Sequence, residues 1–271
     1  MVIYVIYVTF DCSLLVFLWG ADIYMPLHFY KFKPINMWLV DAIVNSSIYA
    51  AKPEDLNDPF DCQIDIEFEL KKTMSNQHNH ENTIIQKALN GSTFIDNWRN
   101  ILSSCGVVSF SQNNEIYKVI DSILMWTHYA DEHKGVCLEY LVDDGYIKDN
   151  WIGSEKDNTL VMCRCVKYED ELSLNCLNNT ILEENEFIKD LLVDYLTTKT
   201  KPWSYENEGR IVFMENGPID LPRQALVAVR FGLKSSNNHV SLIKRILSDY
   251  SPQTRVFKAI KEQNKIIFID V

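Results

Sequence analysis

The chain has 271 residues, of which 47% are hydrophobic and 12% aromatic, enough apolar surface to bury a substantial core and to exclude an intrinsically disordered chain. Its 26 basic and 37 acidic residues give a net charge of −11, a field that repels phosphate backbones, and no run of Lys and Arg offsets it, so nucleic acid is a poor candidate partner. Cys12, Cys62, Cys105, Cys137, Cys163, Cys165 and Cys176 form an odd set without repeating spacing, which reads as reduced thiols of a cytoplasmic protein rather than a disulfide framework.

From the start of the chain, Met1 to Ala21 is apolar and aromatic, but Asp11 sits at its middle and no basic residue precedes it. That pattern fits neither a membrane span nor a signal peptide, so a membrane is not an expected partner. Residues 1–24 read as an atypical extension, or as an extra element packed on the domain, and residues 25–271 read as a single α+β domain. Phe29 to Phe32 is a strand candidate, Asn36 to Asn45 carries a helical apolar stripe, and Ile48 to Ala51 is a second short strand. Pro53 to Phe60 is rich in turn formers. A polar stretch near 71–83, with His78, Asn79 and His80, reads as an exposed loop. Ile84 to Leu102 has helical spacing broken by Gly91, which predicts two helices.

A buried strand is expected at Gly106 to Ser111 and another at Val136 to Tyr140, with a helix from Ile116 to Ala130 between them. Leu160 to Tyr168 reads as a strand and Ile181 to Leu196 as an amphipathic helix. Further strands are predicted at Ile211 to Met214, Ala225 to Phe231, Thr254 to Ala259 and Lys265 to Ile269, with a helix at Val240 to Ser248. The expected fold is therefore α/β (α+β), a mixed central sheet with flanking helices. Cys163-Arg164-Cys165 has no second pair nearby to close a tetrahedral zinc site, so no metal is expected.

Two segments concentrate chemistry. Between Trp126 and Tyr140, the residues Trp126, Tyr129, Ala130 and His133 share one face if the segment is helical. That face either clamps a planar ring or packs into the core with His133 capping the helix and Gly135 ending it. Between Lys201 and Arg210, Glu206 and Glu208 form a Glu-x-Glu pair leading into an apolar strand. In an extended segment both carboxylates project to one side, where one can bond a ribose hydroxyl and the other orient an acceptor, with Arg210 as a fixed positive charge. The competing reading is a surface turn with Arg210 paired to a carboxylate.

Together, Tyr30-Lys31-Phe32, Asn57-Asp58-Pro59-Phe60, Ser109-Phe110-Ser111, Trp126-Thr127-His128-Tyr129-Ala130 with His133 and Gly135, and Trp203 to Arg210 resemble the bacterial domain-of-unknown-function 2971 family. That resemblance runs over roughly residues 27–270. A second resemblance is to arginine-type ADP-ribosyltransferases, through the order of Lys31, Ser109 with Ser111, Tyr129, and Glu206 with Glu208. Here Lys31 stands where that family has arginine, and Phe110 where it has threonine.

The second resemblance implies an ADP-ribosyltransferase-like fold and NAD as substrate, used by a transferase or glycohydrolase with a defence or toxin-like role, with a protein as one candidate acceptor. In that scheme Glu208 bonds the nicotinamide ribose, Glu206 positions the acceptor, Ser109 supports Glu208, Lys31 meets a phosphate, and Tyr129 or Trp126 stacks on the nicotinamide. Two alternatives stand beside it: a metal-dependent hydrolase or nuclease using His133, Glu206 and Glu208, and a non-catalytic module that recognises a ligand or protein through Trp126, Tyr129, Trp203 and Tyr205.

Overall fold

The computed structural model describes residues 27–76, 83–90, 92–152, 160–178 and 184–271. The expected extension at 1–24, and His78, Asn79 and His80, lie outside the described residues. In chain order the strands are β1 (Leu27–Lys33), β2 (Ser47–Ala50), β3 (Gly106–Ser111), β4 (Val136–Val142), β5 (Leu160–Cys165), β6 (Lys167–Glu169), β7 (Thr198–Thr200), β8 (Glu208–Phe213), β9 (Gly217–Asp220), β10 (Leu226–Phe231), β11 (Arg255–Glu262) and β12 (Lys265–Asp270). The longer helices are α1 (Met37–Asn45), α2 (Ile66–Asn76), α3 (Thr83–Asn90), α4 (Ser92–Ser104), α5 (Ile123–His128), α6 (Glu184–Thr197) and α7 (Asn237–Tyr250). Among the described residues, no helix is long and apolar enough to cross a membrane.

Eight strands form one sheet in the order β12-β11-β10-β4-β1-β3-β8-β5. Its neighbours pair antiparallel except β10 and β11, which run parallel because α7 carries the chain back between them, so the sheet is mixed as expected. The period-2 alternation of side chains sorts the core onto two faces. Phe29, Val108, Leu138, Ile211, Phe213 and Val229 enter one cluster beneath α1 and α7. Their neighbours Val107 and Val212 enter a second cluster with α2, α3, α4 and α6. Tyr30, Phe32 and Cys137 join Trp126 in a third.

Three predicted elements differ in ways that local chemistry explains. The helix expected over Ile116 to Ala130 is reduced to a 3-10 turn at Val119–Asp121 and the short α5. Asn113 Oδ1 accepts from the Val119 N–H at 2.9 Å and Asn114 Oδ1 from the Tyr117 N–H at 2.7 Å, so side chains capture donors that a longer helix would use. Ser122 then restarts the helix as its N-cap. The strand expected over Leu160 to Tyr168 divides into β5 in the main sheet and β6, which pairs with β7 in a separate two-stranded ribbon. Finally, the stretch near 71–83 is helical as far as Asn76, within α2. Asp65 caps that helix through the Phe68 N–H, and Ile66, Leu70 and Met74, spaced four apart, face the core while the remaining positions are largely polar.

One feature of the sheet positions the site. β1 and β3 meet at a single residue pair, Tyr30 with Ser111. Beyond it β1 stays paired to β4 as far as Lys33, while β3 stays paired to β8 and bridges Ala51 through Val107. The two strands diverge, and a cavity opens between them.

Candidate functional site

The cavity has a volume of about 410 Å³, within the range of small-molecule sites. β1 supplies Tyr30 to Lys33, β3 supplies Ser109 to Ser111, and the segment that follows α6 supplies Lys199, Glu206 and Glu208. Met125, Tyr129, Asp55, Asn57 and Asp61 complete the lining.

Glu206 and Glu208 meet here, although not through the extended geometry expected of them. Lys201–Glu206 is a 3-10 turn, and Asn207 ends it in the left-handed region at φ 42°, ψ 54°. Asn207 tolerates that conformation and anchors it, its Nδ2 donating to Gln112 O at 2.6 Å. The kink delivers both carboxylates to one ammonium: Lys199 Nζ donates to Glu206 Oε2 at 2.7 Å and to Glu208 Oε2 at 3.1 Å. Both glutamates are 5% exposed or less.

Beneath them lies Arg210, fully buried. Its guanidinium makes a bidentate pair with Asp61, donates Nε to Glu208 Oε1 at 2.8 Å and Nη1 to Leu196 O at 2.8 Å. Three carboxylates and two cations thus share one buried network, and each charge has a partner, as burial requires.

The two glutamates differ in proton affinity. Burial raises that of Glu206, with the neighbouring Glu208 charge adding to it and Lys199 opposing. For Glu208 burial also raises it, but Arg210 and Lys199 outweigh that and hold its carboxyl well below the usual range, helped by a polar contact from Ser109. Tyr129 donates its hydroxyl to Glu206 Oε1 and accepts from Asn57 Nδ2 at 3.2 Å; burial and the Glu206 charge push its own pKa far up. Burial, together with the Lys33 charge, brings Lys31 down to about 7, and its Nζ donates to Ser109 O at 2.6 Å across the gap between strands.

Of the residues singled out in the sequence, Lys31, Ser109, Ser111, Tyr129, Glu206 and Glu208 line the cavity. Trp203 and Tyr205 sit beside it: the Trp203 ring lies 4.7 Å from Lys199 Nζ, and Tyr205 Oη is 2.9 Å from His128 Nδ1. Arg210 lies under the carboxylates rather than offering a free charge.

For Trp126 and His133 the fold follows the core-packing reading rather than the ring clamp. Trp126 is fully buried, with its indole N–H donating to Ile120 O at 2.8 Å and its ring edge-on to Phe32, so it is a core side chain and not a stacking platform. The helix stops at His128, and Asp131, Glu132 and His133 take positive φ, so His133 does not share a helical face with Tyr129. Its ring stacks on Trp126 instead. Gly135 follows because a Cβ there would lie 2.3 Å from Lys33 O.

Sequence reasoning passed over Asp61 and Lys199. Asp61 directly follows the Asn57-Asp58-Pro59-Phe60 motif, which was the available signal; Lys199 lies in no pattern. The Lys199 ammonium bridges the two carboxylates. Among the described residues, no cluster of three or more His, Cys, Asp or Glu side chains is arranged to hold one.

The family model described as Protein of unknown function (DUF2971) matches residues 125–211, the segment that carries Tyr129, Lys199, both glutamates and Arg210. The resemblance drawn from the motifs therefore holds over this stretch of the chain. No curated protein and no solved structure matches the chain.

Proposed function

We propose that the cavity binds a nucleotide of the NAD type and that its carboxylates promote cleavage of the bond between ribose and nicotinamide. The observation that carries this reading is two glutamates on one ammonium, in one cavity, with proton affinities driven apart. In the reaction the glycosidic electron pair leaves with nicotinamide, and the ribosyl carbon becomes cation-like. Fixed negative charge beside that carbon stabilises this state. An acceptor, water or a protein side chain, then attacks and loses its proton to a base.

The hydrogen bonds divide the roles between the two glutamates. Glu208 already accepts from Arg210 Nε, Arg210 Nη2 and Lys199, so its lone pairs are largely occupied. It sets the field and fixes Lys199. Glu206 accepts from Tyr129 and Lys199 and retains capacity for a substrate hydroxyl or an acceptor proton. Glu206 is therefore the reacting carboxylate in this proposal, and Lys31, across the cavity, is the cation placed for a phosphate. Support over the metal-dependent hydrolase alternative comes from Lys199, whose ammonium already pairs with both carboxylates.

The test is incubation of purified protein with NAD, following nicotinamide release. Glu206→Gln is expected to lower kcat about 100-fold or more while leaving the fold intact, a loss typical of removing a general base. Absence of release by the wild-type protein, with water or with protein acceptors, would refute the reading.

A further inference from the structure

The Asn57-Asp58-Pro59-Phe60 motif has a place in the fold that the proposed reaction leaves unused. Asp58 is buried, and its Oδ1 accepts from the Phe60 N–H at 3.0 Å, the bond that closes an Asx-turn around Pro59. The Asp61 N–H donates to Asp58 O at 3.0 Å, and the Asp61 carboxylate is paired with Arg210. Tyr195 donates its hydroxyl to Cys62 O at 2.7 Å, which ties the end of the turn to α6. What this anchored turn presents to the cavity is the Asn57 amide, whose Nδ2 donates to Tyr129 Oη at 3.2 Å.

We propose that Asn57 is a positioning residue: by donating to the Tyr129 oxygen it commits the single Tyr129 hydroxyl proton to Glu206 Oε1 and so fixes and tunes that carboxylate. This rests on the assignment of Glu206 as the reacting group and adds what holds it ready.

Only one arrangement of protons satisfies all three groups. An amide nitrogen donates and does not accept, an ionised carboxylate accepts and does not donate, and a phenol has one proton and an oxygen that accepts. Flanked by Asn57 Nδ2 and Glu206 Oε1, the Tyr129 hydroxyl must take its bond from Asn57 and give its proton to Glu206. Donation into the phenol oxygen also polarises the O–H and strengthens it toward the next acceptor. Burial and the Glu206 bond raise the proton affinity of Tyr129, and the Asn57 bond works against them, which makes the phenol the better donor. Glu206 is then held at both oxygens, Oε1 by Tyr129 and Oε2 by Lys199 at 2.7 Å. Without Asn57 the hydroxyl is free to turn toward water, and the carboxylate loses one of its two fixed contacts.

Two measurements decide this, and one does not need catalysis. Asn57 is exposed, so Asn57→Ala spares the core, and the change leaves in place the charges facing Glu206, namely Lys199 and Glu208, and those of Asp55 and Asp61 on the same turn. In the full chain with 13C-labelled glutamate, the Glu206 carboxyl signal, assigned by its loss in Glu206→Gln, is titrated by NMR. Asn57→Ala should move the Glu206 midpoint upward by roughly half a pH unit, the scale of one weakened hydrogen bond. The same change made on a Tyr129→Phe background should leave the midpoint unmoved. A shift that persists without the Tyr129 hydroxyl, or no shift in either background, overturns the assignment. In the turnover assay, Asn57→Ala should lower kcat about tenfold through lost alignment, with KM little changed and the acid limb of the kcat profile moved up as the carboxyl is. An unchanged kcat, or a loss with the acid limb in its wild-type place, likewise overturns it. If wild type releases no nicotinamide, the proposed reaction fails while the titration still judges the role of Asn57.

Discussion

Arg210 and Asp61, 149 residues apart in the chain, are joined by two parallel hydrogen bonds in a place where neither side chain touches solvent. The pair ties the turn before α2 to the centre of β8 and forms the floor under the glutamates. Arg210→Met should leave Asp61 and Glu208 buried without their main counter-charge, costing about 3–5 kcal/mol. A thermal midpoint lowered by roughly 10 °C, read by circular dichroism, is the expected outcome. A midpoint within 2 °C of wild type, on the same scale, would mean the pair is not structural.

Asn207 holds the kink that makes Glu206 and Glu208 converge. Asn207→Ala keeps the size small but removes the bond to Gln112 and places an unsuited residue in the left-handed region, at a cost of roughly 1–2 kcal/mol. The loss of nicotinamide release should exceed the loss of stability, because the glutamates separate before the domain unfolds. Asn207→Gly should recover the backbone conformation and therefore most of the activity.

Acid should weaken the fold in a defined window. The His28 and Arg230 bonds lower the carboxyl of Glu139 to about 2 against the opposing effect of burial, and Arg210 and Lys199 depress Glu208 in the same direction. A carboxylate depressed in the folded state adds stability above its unfolded pKa of about 4.5, and that stability drains away as pH falls toward the folded value. Urea midpoints measured from pH 7 to 3 should hold steady down to about 5 and then drop. Glu139→Gln should flatten part of that drop.

Lys31 offers a chemical check on the cavity. With its pKa near 7, it is largely neutral at pH 8, whereas ordinary lysines are protonated there. It should therefore be among the first lysines acetylated by a limiting dose of amine reagent at pH 8, located by peptide mass spectrometry, and a nucleotide bound in the cavity should protect it. Equal labelling of Lys31 and the exposed Lys244 would contradict the buried setting.

Much of the frame was legible because it rests on local periodicity. Short apolar runs marked β3, β4 and β8, and helical apolar spacing marked α6 and α7. The parallel pairing of β10 with β11 and the one-pair contact of β1 with β3 depend on long-range geometry that no window of sequence carries. The site was legible where residue types were chemically unusual, as in Glu206, Glu208 and Tyr129. Lys199 and Asp61 escaped because their meaning comes only from what folds against them. Trp126 stayed open between two readings for the opposite reason: an aromatic ring beside a histidine reads alike whether it faces a ligand or the core, and the buried indole bond to Ile120 is a tertiary fact.

The single contact between β1 and β3 divides the sheet into a five-strand wing and a three-strand wing joined by one rung. Lys31 stands on the first wing, and both glutamates belong to the second. The aperture of the cavity is thus the gap between two wings that otherwise meet through the core beneath α1 and α7, and a molecule lodged there adds contacts between them. Occupancy should therefore stiffen the domain far beyond the atoms it touches, and amide exchange along Phe32 and Ser109 is where that bracing would first be seen.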